Sequence, residues 1–298
     1  TEDNGVLDGG NDDVTGLVAD IRQDMIWIGG SDGFQLINVT NGAEVYDIER
    51  TSNQYTANGN PYGMIIHNNI MYYHAGTSSD EVSRLNVTNA ATLSNLDVGA
   101  RVGENGGDIV SMELSGDTLM ISVVSGQWWN SDGSGGIARW NTTTSTWEGN
   151  ILPTGSIDRV TAYESSNGNT WVSWGELKLD LYDSSRNLVN SWTDLGFPIR
   201  GIVEHNGETL FATEDGVERY NENTNAWNST WEAGNGLPSN AGDIFYELWT
   251  DGTHLVVGGA DFNGFGQFRE GIISHRNGAG AWTSYPADSN NNIPDGYP

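Results

Sequence analysis

The stretch "IWIGGSDGFQLIN", residues Ile26–Asn38, joins two apolar runs through Gly29-Gly30 and an Asp32-Gly33 turn. It reads as a single hairpin, as a glycine-rich cradle for phosphate, or as one copy of a repeat. A phosphate cradle needs a helix after the glycines, because the helix N-terminus supplies the N–H donors. Here a second strand-like run follows, "GFQLIN". Asp-Gly between apolar runs is a hairpin signal.

The motif recurs. Matching second-strand cores are "MIWIGG" (Met25–Gly30), "IMYYHAG" (Ile70–Gly76), "TLMISVVSG" (Thr118–Gly126), "TWVSWG" (Thr170–Gly175), "TLFATEDG" (Thr209–Gly216) and "HLVVGG" (His254–Gly259). Anchored on Ile26, Ile70, Leu119, Trp171, Leu210 and Leu255, the spacings are 44, 49, 52, 39 and 45. An apolar strand and a polar turn precede each core, as in "YGMIIHN" and "DIFYELWTDG". A third strand follows ("FQLINVTNG", "IARWNTTTS"), then a turn and a fourth ("AEVYDIE", "AWTSYPA"). Helical periodicity is hard to find anywhere in the chain.

Four short strands in 40–50 residues is the pattern of a β-propeller blade. One such sheet cannot bury both faces, and stacking the sheets buries them. The expectation is an all-β fold, a β-propeller of six four-stranded blades over residues 14–286. The blades fall at approximately 14–57, 58–103, 104–153, 154–196, 197–238 and 239–286. Residues 1–13 and 287–298 read as linkers, and Gly5–Leu7 could add a strand. The alternative is a seven-bladed ring with one blade incomplete.

Composition bounds the partners. The 298 residues carry 40 Asp and Glu against 12 Lys and Arg, a net charge of −28. Such a surface repels nucleic acid and anionic membranes and keeps the chain soluble. Lys178 is the only lysine, and this bias resembles the composition of proteins from saline-adapted organisms. With no cysteine, disulfides, thiolate metal sites and Cys nucleophiles are excluded. No apolar run approaches the ~18 residues of a membrane helix, so no membrane insertion is expected. Thr1 opens into "TEDNGVLDGGNDD" without signal-peptide character, so the chain is expected to be mature or an excised piece. The 12 Trp and 11 Tyr suit strands and also make adhesive surfaces.

"IWIGGSDGFQLIN" and "GLPSNAGDIFYELWTDGTHLVVGG" (Gly236–Gly259) resemble the propeller repeats of two-component-regulator sensor proteins. The loose pattern is Gly-Leu-Pro, an apolar strand, Asp-x-x-Gly, Leu-Trp-Ile-Gly and an aromatic-Asn/Asp turn. Residues 14–286 fit, with degenerate copies at "MYYHAG", "WVSWG" and "FATEDG". The resemblance implies an extracellular ligand-binding module. "ADSNNNIPDGYP" (Ala287–Pro298) resembles a degenerate thrombospondin type-3-like calcium repeat. That resemblance implies Ca²⁺ ligands at Asp288, Asn290, Asn292 and Asp295, and a monomeric domain within a longer polypeptide. "ESSNGNTW" (Glu164–Trp171) is similar to the Asp-box of sialidases, but Glu164 and Ser166 stand at its Ser and Asp positions. Arg159 and Arg200 do not complete an arginine triad, so sialidase chemistry is not expected.

Two regions carry extra residues. The second-to-third-strand connections in repeats 3 and 6, "SGQWWNSDGSGG" (Ser125–Gly136) and "GGADFNGFGQFREG" (Gly258–Gly271), are the longest. In a six-bladed ring they would face each other across one mouth. Trp128, Trp129, Asp132, Asp261, Phe262, Phe265, Phe268 and Arg269 form the candidate ligand site. Loop aromatics suit stacking on sugar rings or a peptide; otherwise they fold down and plug the channel. Asp13, Asp108, Asp158 and Asp243 recur where the first strand of a repeat starts. Four carboxylates around a mouth suit a hard cation such as Ca²⁺; otherwise they satisfy local turn N–H groups.

Other features read as structural. His67, His74, His205, His254 and His275 share no metal-ligand spacing and read as surface or edge residues. Asn38, Asn86 and Asn141 head Asn-x-Thr sequons at one repeat position, with Asn228 a fourth. They suit glycosylation in a secreted protein, or a turn.

The expected function is an extracellular or cell-surface interaction module that takes a glycan, peptide or protein at that mouth. One alternative is a carbohydrate-active lyase or hydrolase using Asp132, Asp158, Asp243 or Asp261, which requires two carboxyl groups about 5–10 Å apart. The other is a spacer with no ligand.

Overall fold

A computed structural model describes residues 14–20, 24–30, 33–49, 61–75, 80–103, 107–127, 130–151, 160–174, 178–193, 195, 198–238, 244–262 and 268–286. The chain divides into two compact units, Thr1–Val160 and Thr161–Pro298.

The first unit holds three four-stranded sheets in chain order. They are β1–β4 (Val14–Ala19, Met25–Gly30, Gly33–Asn38, Glu44–Glu49), β5–β8 (Pro61–His67, Ile70–Ala75, Glu81–Asn86, Ala91–Asp97) and β9–β12 (Asp108–Ser115, Thr118–Gln127, Asn130–Asn141, Thr146–Trp147). A single helical turn, α1 (Gly99–Val102), follows β8. The second unit holds β13–β16 (Val160–Glu164, Thr170–Trp174, Lys178–Tyr182, Leu188–Thr193), β17–β20 (Gly201–His205, Glu208–Ala212, Val217–Asn221, Ala226–Trp227) and β23–β26 (Ile244–Thr250, Leu255–Phe262, Phe268–Arg276, Trp282–Pro286). A two-stranded parallel pair, β21 and β22 (Glu232–Ala233, Gly236–Leu237), precedes the last sheet. Each four-stranded sheet is antiparallel with sequential neighbours, which makes the fold a six-bladed β-propeller.

Residue alternation explains why these sheets stack. Successive side chains on a strand leave opposite faces. In β6, Met71 and Tyr73 join a core with Trp27, Phe34 and Leu36 of the preceding sheet. Tyr72, between them, joins another core with Ile109, Leu119 and Ile121 of the following sheet. β18 repeats this in the second unit. Phe211 packs with Trp171, Leu179 and Tyr220, while Leu210 and Ala212 pack with Phe245, Leu248 and Leu255. Burying each large side chain contributes roughly 1.5–3 kcal/mol, so a middle blade gains from both neighbours. The fourth strands, packed less, are the most exposed, as in β16 and β20.

Among the described residues, aromatic side chains serve both the core and the surface, with Trp27, Tyr72, Tyr73 and Trp171 buried and Trp227 and Trp249 exposed. Trp171 stacks on Trp192 at 5.5 Å and meets Phe211 at 5.1 Å and Tyr220 at 4.9 Å edge-on. Gly236, from the Gly-Leu-Pro signature, has φ +91° and lies against the Trp231 indole. A Cβ there would stand 2.3 Å from Trp231 Cδ1, so only glycine fits.

Candidate functional site

The extra residues of repeats 3 and 6 form strand rather than loop. β2 and β3 end their pairing at Gly30 and Gly33, six residues each. β10 and β11 run to 10 and 12 residues and stay paired as far as Gln127 and Asn130, with an irregularity between Val124 and Gly126. β24 and β25 run to 8 and 9 residues and pair as far as Phe262 and Phe268. The expected loops at 125–136 and 258–271 are therefore mostly hairpin arms. "SDGSGG" gave no strand signal because it carries no apolar alternation.

The expected ligand residues distribute accordingly. Asp132 lies in β11, Asp261 and Phe262 in β24, and Phe268 and Arg269 in β25. Register places Asp261 opposite Glu270, one rung from the Phe262–Phe268 pair. Trp128, Trp129 and Phe265 lie outside the described residues.

Of the four acidic positions at strand starts, Asp108 opens β9 and is buried. Preceding it, Gly107 leaves room for Val124 O, which would stand 2.5 Å from a Cβ. Asp13, Asp158 and Asp243 lie outside the described residues, as do Asp288, Asn290, Asn292 and Asp295. Among the described residues no group of three or more His, Asp or Glu is arranged to hold a metal.

Two carboxylates that the sequence did not flag organise the second unit. Asp180 is fully buried in β15 and accepts from Trp174 Nε1 at 2.7 Å, Lys178 Nζ at 2.9 Å and Tyr182 OH at 3.3 Å. The only lysine of the chain thus serves a buried ion pair. Burial, then the Asp180 charge, pushes the Tyr182 phenol up to about 12. Glu222, after β19, accepts from Thr209 Oγ1 at 2.6 Å, Trp171 Nε1 at 2.9 Å, Asn169 Nδ2 at 3.0 Å and Ser165 Oγ at 3.3 Å, and from Asn167 Nδ2. Burial would raise its carboxyl, but these donors prevail and hold it below the usual range. The Asp-box-like stretch is the donor set for this clasp, so its role is to tie the β13–β14 turn to the next sheet. Glu222 left no sequence signal because its partners Ser165, Asn167, Asn169 and Trp171 stand more than fifty residues away.

The histidines divide. His67 meets Asp117 at 3.0 Å and His254 meets Asp251 at 2.9 Å, both near the surface. His74 and His205 are buried, against the expectation of surface or edge roles, because an adjacent sheet covers them. The sequon asparagines form turns. Asn38 Oδ1 accepts from Thr40 N at 2.9 Å, Asn86 Oδ1 from Thr88 N at 2.9 Å and Asn141 Oδ1 from Thr144 N at 2.9 Å.

Comparison with known proteins places the fold. No family model matches the sequence, and no curated protein matches it. Two crystal structures of the extracellular domain of BT4673 from B. thetaiotaomicron are similar to the chain. One, described as a one component system, is 14% identical with a TM-score of 0.57, covering 80% of this chain and 30% of that one. The other, described as a hybrid two component system, is 15% identical with a TM-score of 0.59, covering 82% of this chain and 31% of that one. The chain thus spans about a third of the length of those structures. The computationally designed Ika8 protein is 12% identical with a TM-score of 0.55, covering 94% of this chain and 98% of that one. The class is a six-bladed β-propeller that shares its fold with the extracellular domain of BT4673. The resemblance read from the repeats holds at the level of fold, while the calcium-repeat resemblance falls outside the described residues.

Proposed function

We propose that this propeller is a ligand-binding module of an extracellular protein, part of a longer polypeptide, and that the ends of its long hairpins take a glycan or peptide. The extension of β10–β11 and β24–β25 carries this reading. These hairpins run longer than the six-residue pair β2–β3, and they lead to Trp128, Trp129 and Phe265. Aromatic faces at such ends suit sugar rings and peptide side chains. The fold shared with extracellular domains supports the location.

Calcium is the second element of the proposal. The carboxylates at Asp13, Asp108, Asp158 and Asp243, and the tail from Asp288 to Asp295, offer the oxygen ligands that Ca²⁺ prefers. A glycan array and a peptide array, each with and without millimolar Ca²⁺, test both elements. Specific binding is expected, lost in Trp128→Ala/Trp129→Ala and in Phe265→Ala while unfolding temperature is unchanged. Binding that survives both variants overturns the assignment to the hairpin ends. Calcium is overturned if calorimetry gives no heat and the unfolding temperature does not move.

A further inference from the structure

Three turns of the second unit border an open polar pocket of about 300 Å³. Asn206 comes from the β17–β18 turn, Gly252 and Thr253 from the β23–β24 turn, and Arg276 through Gly280 from the β25–β26 turn. The walls are set by backbone geometry. Asn206 and Gly207 have φ of +53° and +77°, as a two-residue hairpin turn requires. Asn277 Oδ1 accepts from Ala279 N and Ala281 N, both at 3.0 Å, which fixes the third turn.

A hydrogen-bond relay orients Asn206. Thr250 Oγ1 donates to His254 O at 2.7 Å, so its lone pairs accept from Gly252 N at 3.0 Å and from His205 Nδ1 at 2.8 Å. Nε2 of His205 is then the acceptor for Asn206 Nδ2, at 2.8 Å. Burial first, and the nearby Arg276 charge next, lower the His205 pKa and keep the ring neutral. Asn206 retains its amide oxygen and one N–H for the pocket.

Arg276 supplies the charge. The two acids that act with it on His205 are engaged elsewhere. Glu208 takes Arg219 two-pronged at 2.7 and 3.0 Å, and Asp251 accepts from Thr253 N at 2.8 Å, His254 N at 2.6 Å and His254 Nδ1 at 2.9 Å. Arg139, Arg200 and Arg219 each hold a carboxylate, at 3.6, 2.6 and 2.7 Å. Arg276 has no such partner among the described residues. It lies 5.7 Å from the Trp231 ring, against which Arg219 already packs at 4.4 Å. In a chain of charge −28, an arginine without a carboxylate at a polar pocket has the chemistry to receive an anion.

We propose that this pocket binds a small oxyanion-bearing ligand of monosaccharide size, with Arg276 gripping a carboxylate or phosphate and Asn206 the adjacent hydroxyls. The volume is at the small end of ligand pockets, which suits one ring rather than a polymer. The proposal is independent of the hairpin ends, so either can fail alone.

Isothermal titration of the whole chain with sodium glucuronate, glucose and inorganic phosphate tests it. Glucuronate is expected to bind and glucose not to. Phosphate binding as tightly as glucuronate identifies the oxyanion alone as the ligand; weaker phosphate binding identifies a carboxylate on a hydroxylated ring. Arg276→Gln is expected to weaken glucuronate about tenfold or more, since it removes a charged two-pronged contact. Arg276→Lys should lose part of that, and Asn206→Gly, which keeps the positive φ, about fivefold. Equal binding of glucose and glucuronate, no heat with either anion, or wild-type affinity in Arg276→Gln overturns the proposal. If Arg276→Gln unfolds, Arg276→Lys and Asn206→Gly decide it on the same criteria.

Discussion

His74 shows how burial turns one side chain into a pH dependence. It lies near the end of β6 with its ring packed beside Gly63, where a Cβ would stand 2.9 Å from Nε2 and 3.4 Å from Met112 Cε. Burial lowers its pKa to about 4. The unfolded chain binds that proton below about pH 6.5, whereas the folded chain does not until about pH 4. The stabilisation is therefore complete above about pH 6.5 and is lost as pH falls toward 4. Denaturant unfolding is expected to show a loss of about 2 kcal/mol between roughly pH 6.5 and 5. His74→Gln should flatten this slope, and an unchanged slope would refute the assignment. Glu222 differs, because its lowered pKa places its pH-sensitive loss below the ordinary carboxylate range, outside that window.

At the element scale, one turn is built six times. The third strand of every blade ends on, or is followed by, an Asn or Asp whose Oδ1 accepts backbone N–H groups two to four residues on. These residues are Asn38, Asn86, Asn141, Asp183, Asn221 and Asn277. Each turn then places a residue at positive φ, namely Gly42, Ala90, Ser145, Arg186, Asn225 and Gly280. The side chain replaces a missing ladder partner, and the left-handed residue swings the chain into the fourth strand. Ser145 is exposed and has φ +53°, a conformation that costs a residue with a Cβ about 1 kcal/mol or more. Ser145→Gly is expected to stabilise by about 0.5–1 kcal/mol, read as a rise in denaturation midpoint at unchanged slope. A lower midpoint would show that the serine is not strained.

For the whole molecule, charge dominates. Forty acidic against twelve basic residues leave a strong self-repulsion that the fold must withstand. Salt screens such repulsion, with a Debye length falling from about 30 Å at 0.01 M to about 3 Å at 1 M. The unfolding temperature should rise by about 5 °C or more between low salt and about 1 M NaCl. A flat or falling temperature would mean that ion pairs such as Arg219–Glu208 and Lys178–Asp180 outweigh the net repulsion.

The repeat, the four-strand unit and the all-β class were legible in the chain itself. Strand alternation, tight-turn residues and spacing are local properties, and six copies reinforce one another. "IWIGGSDGFQLIN" could be recognised as a blade's middle hairpin without any neighbour. The chain also disclosed where two hairpins carry extra residues. It did not disclose that those residues continue the strands, because they carry no apolar alternation to announce it. Nor did it disclose the Glu222 clasp, the buried Asp180, the covered His74 or an Arg276 that holds no carboxylate among the described residues. The Glu222 clasp and the covered His74 depend on groups from different repeats that meet across adjacent sheets, and the Asp180 cluster on which face of its own sheet the packing buries.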